Sequence, residues 1–139
     1  MRTVRDDEGT EYLLLERSGE SSLVRDPATG RRRSLPTDDL EPTDASPLEV
    51  AAEGVPGGVR RVLRVAHDDA ALGLLLELDA RGPTPVRDLL AAYDLCESDL
   101  HGLLAEFRVG GVVDETTVAG ERAYRVTDEA SDALARLRE

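Results

Sequence analysis

Residues 84–126 read TPVRDLLAAYDLCESDLHGLLAEFRVGGVVDETTVAGERAYRV, and their apolar spacing changes part-way along. Val86, Leu89, Leu90 and Tyr93 share one face of a helix. Thr84 can cap that helix and Pro85 suits its first turn. Leu100, Leu103, Leu104 and Phe107 repeat the helical spacing on a second helix, which Gly110 and Gly111 end. Residues 112–118 and 122–126 then read as strands around the turn Ala119-Gly120-Glu121. Thr127 caps a closing helix with Ala130, Ala133, Leu134 and Leu137 on its inner side.

Working back from this stretch, Asp68 or Asp69 can cap a helix over 70–80 that carries Leu72, Leu75, Leu76 and Leu78. Val59, Val62, Leu63 and Ala66 also stand at helical spacing. Ser46-Pro47-Leu48-Glu49 is a capping box for a short helix reaching about residue 53. Residues 36–47 hold three prolines and read as a linker. Before them, segments 2–5, 10–17, 21–25 and 31–35 read as a meander of four strands separated by turn residues. Tyr12, Leu13, Leu14 and Leu15 are consecutive, so both faces of that sheet carry apolar groups and need cover, from helices or a second subunit. The expected fold is α+β: an N-terminal antiparallel β-meander, then helices and a C-terminal helix-turn-helix with a hairpin. The expected divisions are 1–45, a connecting segment 46–67, and 68–139.

The chain carries 29 acids against 17 arginines and no lysine, a net charge of −12. That acid-rich, lysine-free composition resembles proteins of halophilic archaea. A −12 protein is repelled by nucleic acid at low salt. At molar salt the Debye length shrinks to ~3 Å and the repulsion nearly vanishes. Attraction by counterion release fades too, so binding there needs close hydrogen bonds and shape fit. The single cysteine excludes an internal disulfide, and no segment approaches the length of a membrane span. A cytoplasmic protein without a membrane partner is expected.

The order of elements resembles the winged-helix transcription regulators of prokaryotes, of ArsR or MarR type. Three motifs carry the resemblance. Leu95-Cys96-Glu97-Ser98-Asp99-Leu100 stands where the family leads into its recognition helix, and Phe107-Arg108-Val109-Gly110-Gly111-Val112-Val113 where that helix turns into the hairpin. Tyr124-Arg125-Val126-Thr127 stands where the wing ends. The resemblance covers about residues 68–139 and implies binding of double-stranded DNA by a homodimer. It implies that Ser98, His101, Gly102 and Arg108 face the major groove, and that Arg122 and Arg125 of the wing meet backbone or minor groove. Asp99, His101 and Gly102 depart from the basic and polar residues common in the family. Glu97, Asp99 and Glu106 would face a polyanion.

Two arginine groups are further candidates for phosphate contact: Arg31, Arg32 and Arg33, and then Arg60, Arg61 and Arg64. For each, the competing reading is a solvated surface whose arginines pair with local acids. Cys96 occupies a helix N-cap, where a thiol can become reactive, so it is a candidate redox switch; the competing reading is a small hydrophobe. His67 beside Asp68 and Asp69 is read as structural rather than metal-binding. No cofactor is expected, no effector is identifiable, and no catalytic constellation is present, so an enzyme is not expected. Besides a DNA-binding regulator, two readings stay open. One is an acidic winged-helix module that binds proteins. The other is an architectural DNA binder using its N-terminal arginines.

Overall fold

The computed structural model describes residues 1–138 and divides the chain into two compact units, Met1–Val55 and Pro56–Glu139. The segment 46–67 is thereby divided, its first helix going to the first unit and its second to the other.

The first unit is a five-stranded antiparallel sheet. Its strands are β1 (Arg2–Arg5), β2 (Glu11–Arg17), β3 (Ser21–Arg25), β4 (Arg32–Pro36) and β5 (Glu41–Thr43), in the order β4-β3-β2-β1-β5. A 3-10 turn, Thr37–Asp39, precedes β5. Segment 36–47 is therefore not a simple linker, since it supplies an edge strand that pairs with β1. Pro42 sits opposite Val4 in that strand. Proline lacks a donor, which an edge strand tolerates because one side of it has no neighbour.

Val4, Tyr12 and Val24 form the core on one sheet face, with Leu14, Leu35 and Leu40 packed against them. Leu13, opposite in sense to its neighbours, is also buried, as is Val50 of α1 (Pro47–Ala52), which packs on β1 and β2. The helix thus supplies cover for the second face. The four consecutive apolar residues are reconciled by a bulge: the register shifts between Leu14 and Glu16, leaving Leu15 as the extra residue. Ser46 caps α1, its hydroxyl accepting from the Glu49 amide at 3.5 Å.

The second unit contains α2 (Gly57–Val65), α3 (Asp69–Arg81), β6 (Thr84–Pro85), α4 (Val86–Ala92), α5 (Glu97–Val109), β7 (Val113–Val118), β8 (Glu121–Val126) and α6 (Asp128–Leu137). Asp68 caps α3 by accepting from Ala71 N at 2.9 Å, and Thr127 caps α6 through Ala130 N at 3.2 Å. Thr84 does not cap α4. It lies buried in β6, the third strand of a sheet ordered β6-β8-β7, and its hydroxyl donates to Gly82 O at 2.8 Å. The threonine is thus spent on the sheet, and Pro85 takes the N-cap position without a side-chain bond.

Helix α5 buries Leu100, Leu104 and Phe107 completely or nearly so, each contributing about 1.5–3 kcal/mol of apolar burial. It closes in a Schellman arrangement: Gly111 has φ 78°, and Val112 N donates to Phe107 O at 3.0 Å. The hairpin turn is tighter than expected. Glu121 belongs to β8 and pairs with Val118, leaving Ala119 and Gly120 as a two-residue turn with φ 51° and 81°. Two positive φ values match the type I′ turn that suits strand twist, although Ala119 bears a Cβ there. Helices α2 and α6 pack together, and a Cβ on Gly58 would lie 3.0 Å from the Glu129 side chain and 3.1 Å from its carbonyl.

Candidate nucleic-acid interface

Helix α5 turns one side to the core and leaves Glu97, Ser98, Asp99, His101, Gly102, Ala105, Glu106, Arg108 and Val109 exposed. Ser98, His101 and Gly102 therefore lie together on one open surface, and a Cβ on Gly102 would meet nothing within 4 Å. His101 Nε2 lies 3.6 Å from Glu97 Oε1 one turn away. His101, Ala105, Arg108, Val109, Arg122 and Tyr124 line a groove of about 510 Å³ between α5 and the wing strand β8.

The arginines are where the geometry adds most. Arg108 Nη1 reaches Glu115 Oε2 at 2.7 Å, and Arg122 Nε reaches Glu115 Oε1 at 2.9 Å. One carboxylate on β7 thus joins α5 to the far strand of the hairpin, β8. Arg125 lies on the opposite hairpin face, because residues 122 and 125 differ by an odd number. It pairs with Asp114, its direct cross-strand partner, at 3.3 Å and approaches Asp128 at 3.9 Å. The structure brings Arg108 and Arg122 together and separates Arg125 from them. Glu115 was legible only as an acid near the wing. Its role follows once the two-residue turn fixes Glu115 opposite Tyr124, which puts Arg122 at a diagonal position within reach of a long side chain.

The run Arg31–Arg33 and the arginines of α2 are placed differently. Arg32 pairs across the strands with Arg25, while Arg33 pairs with Val24, so neighbours in the run point to opposite faces. Arg33 Nη1 donates to Tyr12 Oη at 3.1 Å, and its guanidinium lies 6.0 Å from the ring centre. Burial, reinforced by the Asp6 carboxylate, holds the Tyr12 phenol above its ordinary range. On α2, Arg61 is held by Glu129 at 3.3 Å, Arg64 is exposed and Arg60 is half-buried.

Cys96 is exposed at the N-cap of α5, with Sγ 3.0 Å from Ser98 Oγ. That hydrogen bond, then the backbone N–H groups of Asp99 and Ser98, hold the thiol below its ordinary pKa. His67 lies 3.7 Å from Glu106. Among the described residues, no group of three or more His, Cys, Asp or Glu side chains could hold a metal ion, and no helix is long and apolar enough to cross a membrane.

A helix-turn-helix followed by a hairpin, with a short third strand before the first of the two helices, defines the second unit as a winged-helix domain. The whole chain belongs to a family described as a family of unknown function (DUF7346), whose model matches residues 1–138. No curated protein matches it. Among solved structures, an ArsR-like transcriptional regulator from Rhodococcus sp. RHA1 is similar at a TM-score of 0.49 and 20% identity, over 61% of this chain and 80% of that one.

Proposed function

We propose that the chain is a DNA-binding transcription regulator that presents α5 to the major groove and the β7–β8 wing to the flanking backbone. The observation that carries this reading is the exposed face of α5, which is polar and open beside a hairpin bearing arginines. Ser98 and His101 offer donors and acceptors to base edges. Gly102 lets the duplex approach the helix backbone closely. Arg108 and Arg122 reach phosphates by leaving Glu115. Exposed ion pairs of this kind are worth ~0–1 kcal/mol, so the exchange costs little.

A homodimer fits the same reading. Leu63 on α2 and Leu137 on α6 remain 60% and 45% exposed on packed helices, where a second copy would cover them. Two-fold symmetry then asks for half-sites about 34 Å apart or a multiple of that.

The test is retention of genomic DNA fragments by the purified protein in molar potassium chloride, followed by sequencing of the retained pool. A shared palindromic motif is expected. Affinity for it should fall in the double variants His101→Ala/Arg108→Ala and Arg122→Ala/Arg125→Ala, with the fold intact. Unchanged affinity in both variants sinks the assignment.

A second reading is favoured by one observation: Arg108, Arg122 and Arg125 are each neutralised by the protein's own carboxylates. Glu97, Asp99 and Glu106 then leave an acidic face suited to a basic protein partner. Failure to retain any DNA would favour it. The architectural alternative is weakened, because Arg32 and Arg33 point to opposite sheet faces.

A further inference from the structure

We propose that the first unit binds a small organic anion, a monocarboxylate with a compact apolar body, in a cavity on the Tyr12 face of its sheet. The cavity measures about 260 Å³ and is lined by Arg2 and Val4 of β1, Leu14 and Arg17 of β2, Ser22 of β3, Thr37 of the 3-10 turn, and Leu40 and Pro42. Its volume equals the share of roughly nine water molecules, the size of a single-ring acid.

Charge selects the ligand. No carboxylate lines this cavity, in a chain where acids outnumber bases 29 to 17. The adjoining concavity, which shares Leu40, is lined by Asp6, Asp7, Glu8 and Asp39 beside Arg33 and would repel an anion. Strand register fixes the two cationic groups on one face: Arg2 stands opposite Leu14, and Arg17 opposite Ser22. Neither guanidinium has a hydrogen bond or ion pair among the described residues, unlike Arg5, held by Glu11 at 3.0 Å, and Arg33, held by Tyr12.

The hydroxyls leave the anion to the arginines. Thr37 Oγ1 donates its proton to Ser18 O at 2.8 Å, so Ser22 must donate the proton of the 2.8 Å Ser22–Thr37 bond. Neither hydroxyl retains a proton for a carboxylate. Two unpaired guanidinium groups can grip one, each through parallel N–H donors. Val4, Leu14, Leu40 and Pro42 supply an apolar wall for the body of the ligand.

This inference does not depend on DNA binding, since it is read on the protein alone. Amide NMR of the full chain, titrated with phenylacetate in a salt that keeps it folded, is the experiment. Saturable shifts are expected at Val4, Leu14, Ser22 and Leu40. Affinity should drop about tenfold or more for phenylacetamide, and by a similar factor in Arg2→Gln and in Arg17→Gln. Both arginines are exposed, so resonances away from the cavity should stay in place. Arg5→Gln, which breaks an ion pair outside the cavity, should leave affinity unchanged. Absence of saturable shifts, equal binding of the amide, or equal damage from Arg5→Gln overturns the proposal.

Discussion

The two units carry the same net charge and differ in how many of their arginines are paired with acids. Residues 1–55 hold 7 arginines and 13 acids, and residues 56–139 hold 10 and 16, a net −6 in each. In the second unit the arginines nearest α5 and the hairpin are tied down: Arg108 and Arg122 share Glu115, Arg125 takes Asp114, and Arg87 takes Glu121 at 3.1 Å. In the sheet unit Arg2, Arg17, Arg25, Arg31 and Arg32 have no side-chain partner among the described residues. Arg25 and Arg32 even face each other across β3 and β4. Net charge therefore says little about where cationic groups are available. Pairing geometry decides it, and around the hairpin it ties up arginines that the count alone would leave available.

The largest effect is expected at Glu115. If this carboxylate withholds Arg108 and Arg122 from DNA, Glu115→Gln should tighten binding to a retained fragment about tenfold, through one fewer repulsive charge and two released cations. Stability should change by no more than ~1 kcal/mol, because both pairs are exposed. Filter-binding titrations at two salt concentrations would check the affinity, with a steeper salt slope in the variant. An unchanged Kd would mean that Glu115 only braces the wing against α5.

A smaller effect is expected in the sheet unit. Like charges directly opposite on neighbouring strands are unfavourable, so Arg32→Glu should stabilise that unit by roughly 0.2–1 kcal/mol, read by hydrogen exchange of β3 and β4 amides. A loss of protection would show that Arg32 has a favourable role that its contacts do not reveal.

The smallest effect concerns Cys96. The hydrogen bond to Ser98 Oγ, with the amides that open α5 close by, favours the thiolate, so its pKa lies below that of free cysteine. The sign follows directly: as pH rises, the reactive form accumulates earlier, and the midpoint of the alkylation rate against pH should fall below that of free cysteine. Ser98→Ala should move the midpoint back up. Identical midpoints in the two proteins would remove the serine from the account and leave a plain exposed thiol.

Much of this architecture was legible because it rests on repeated apolar spacing. Leu100, Leu104 and Phe107 mark one helix face, and that face is buried. The capping residues Ser46, Asp68 and Thr127 were legible for a similar reason, since each acts on an amide only three residues away. Features that depend on distant partners were not. Strand β5 was hidden because prolines announce a linker unless the strand lies at an edge, and only the fold reveals the edge. Thr84 suited a cap until β8 claimed it for a sheet. The candidate surface divides along the same line. That Ser98, His101 and Gly102 share an exposed face follows from helical period alone. That Arg108 meets Arg122 at one carboxylate requires the hairpin to fold back on the helix.

Strand β1 is an interior strand, bordered by β2 on one side and β5 on the other. The meander from β1 to β4 can zip up from neighbouring segments, but one flank of β1 stays open until residues 41–43 arrive from nearly forty positions away. Such a contact carries a larger loop-closure cost than any hairpin in the meander, so it is a natural last step. On the ribosome, an incomplete chain would hold a sheet with an unprotected interior strand, and the docking of a three-residue segment would shut it.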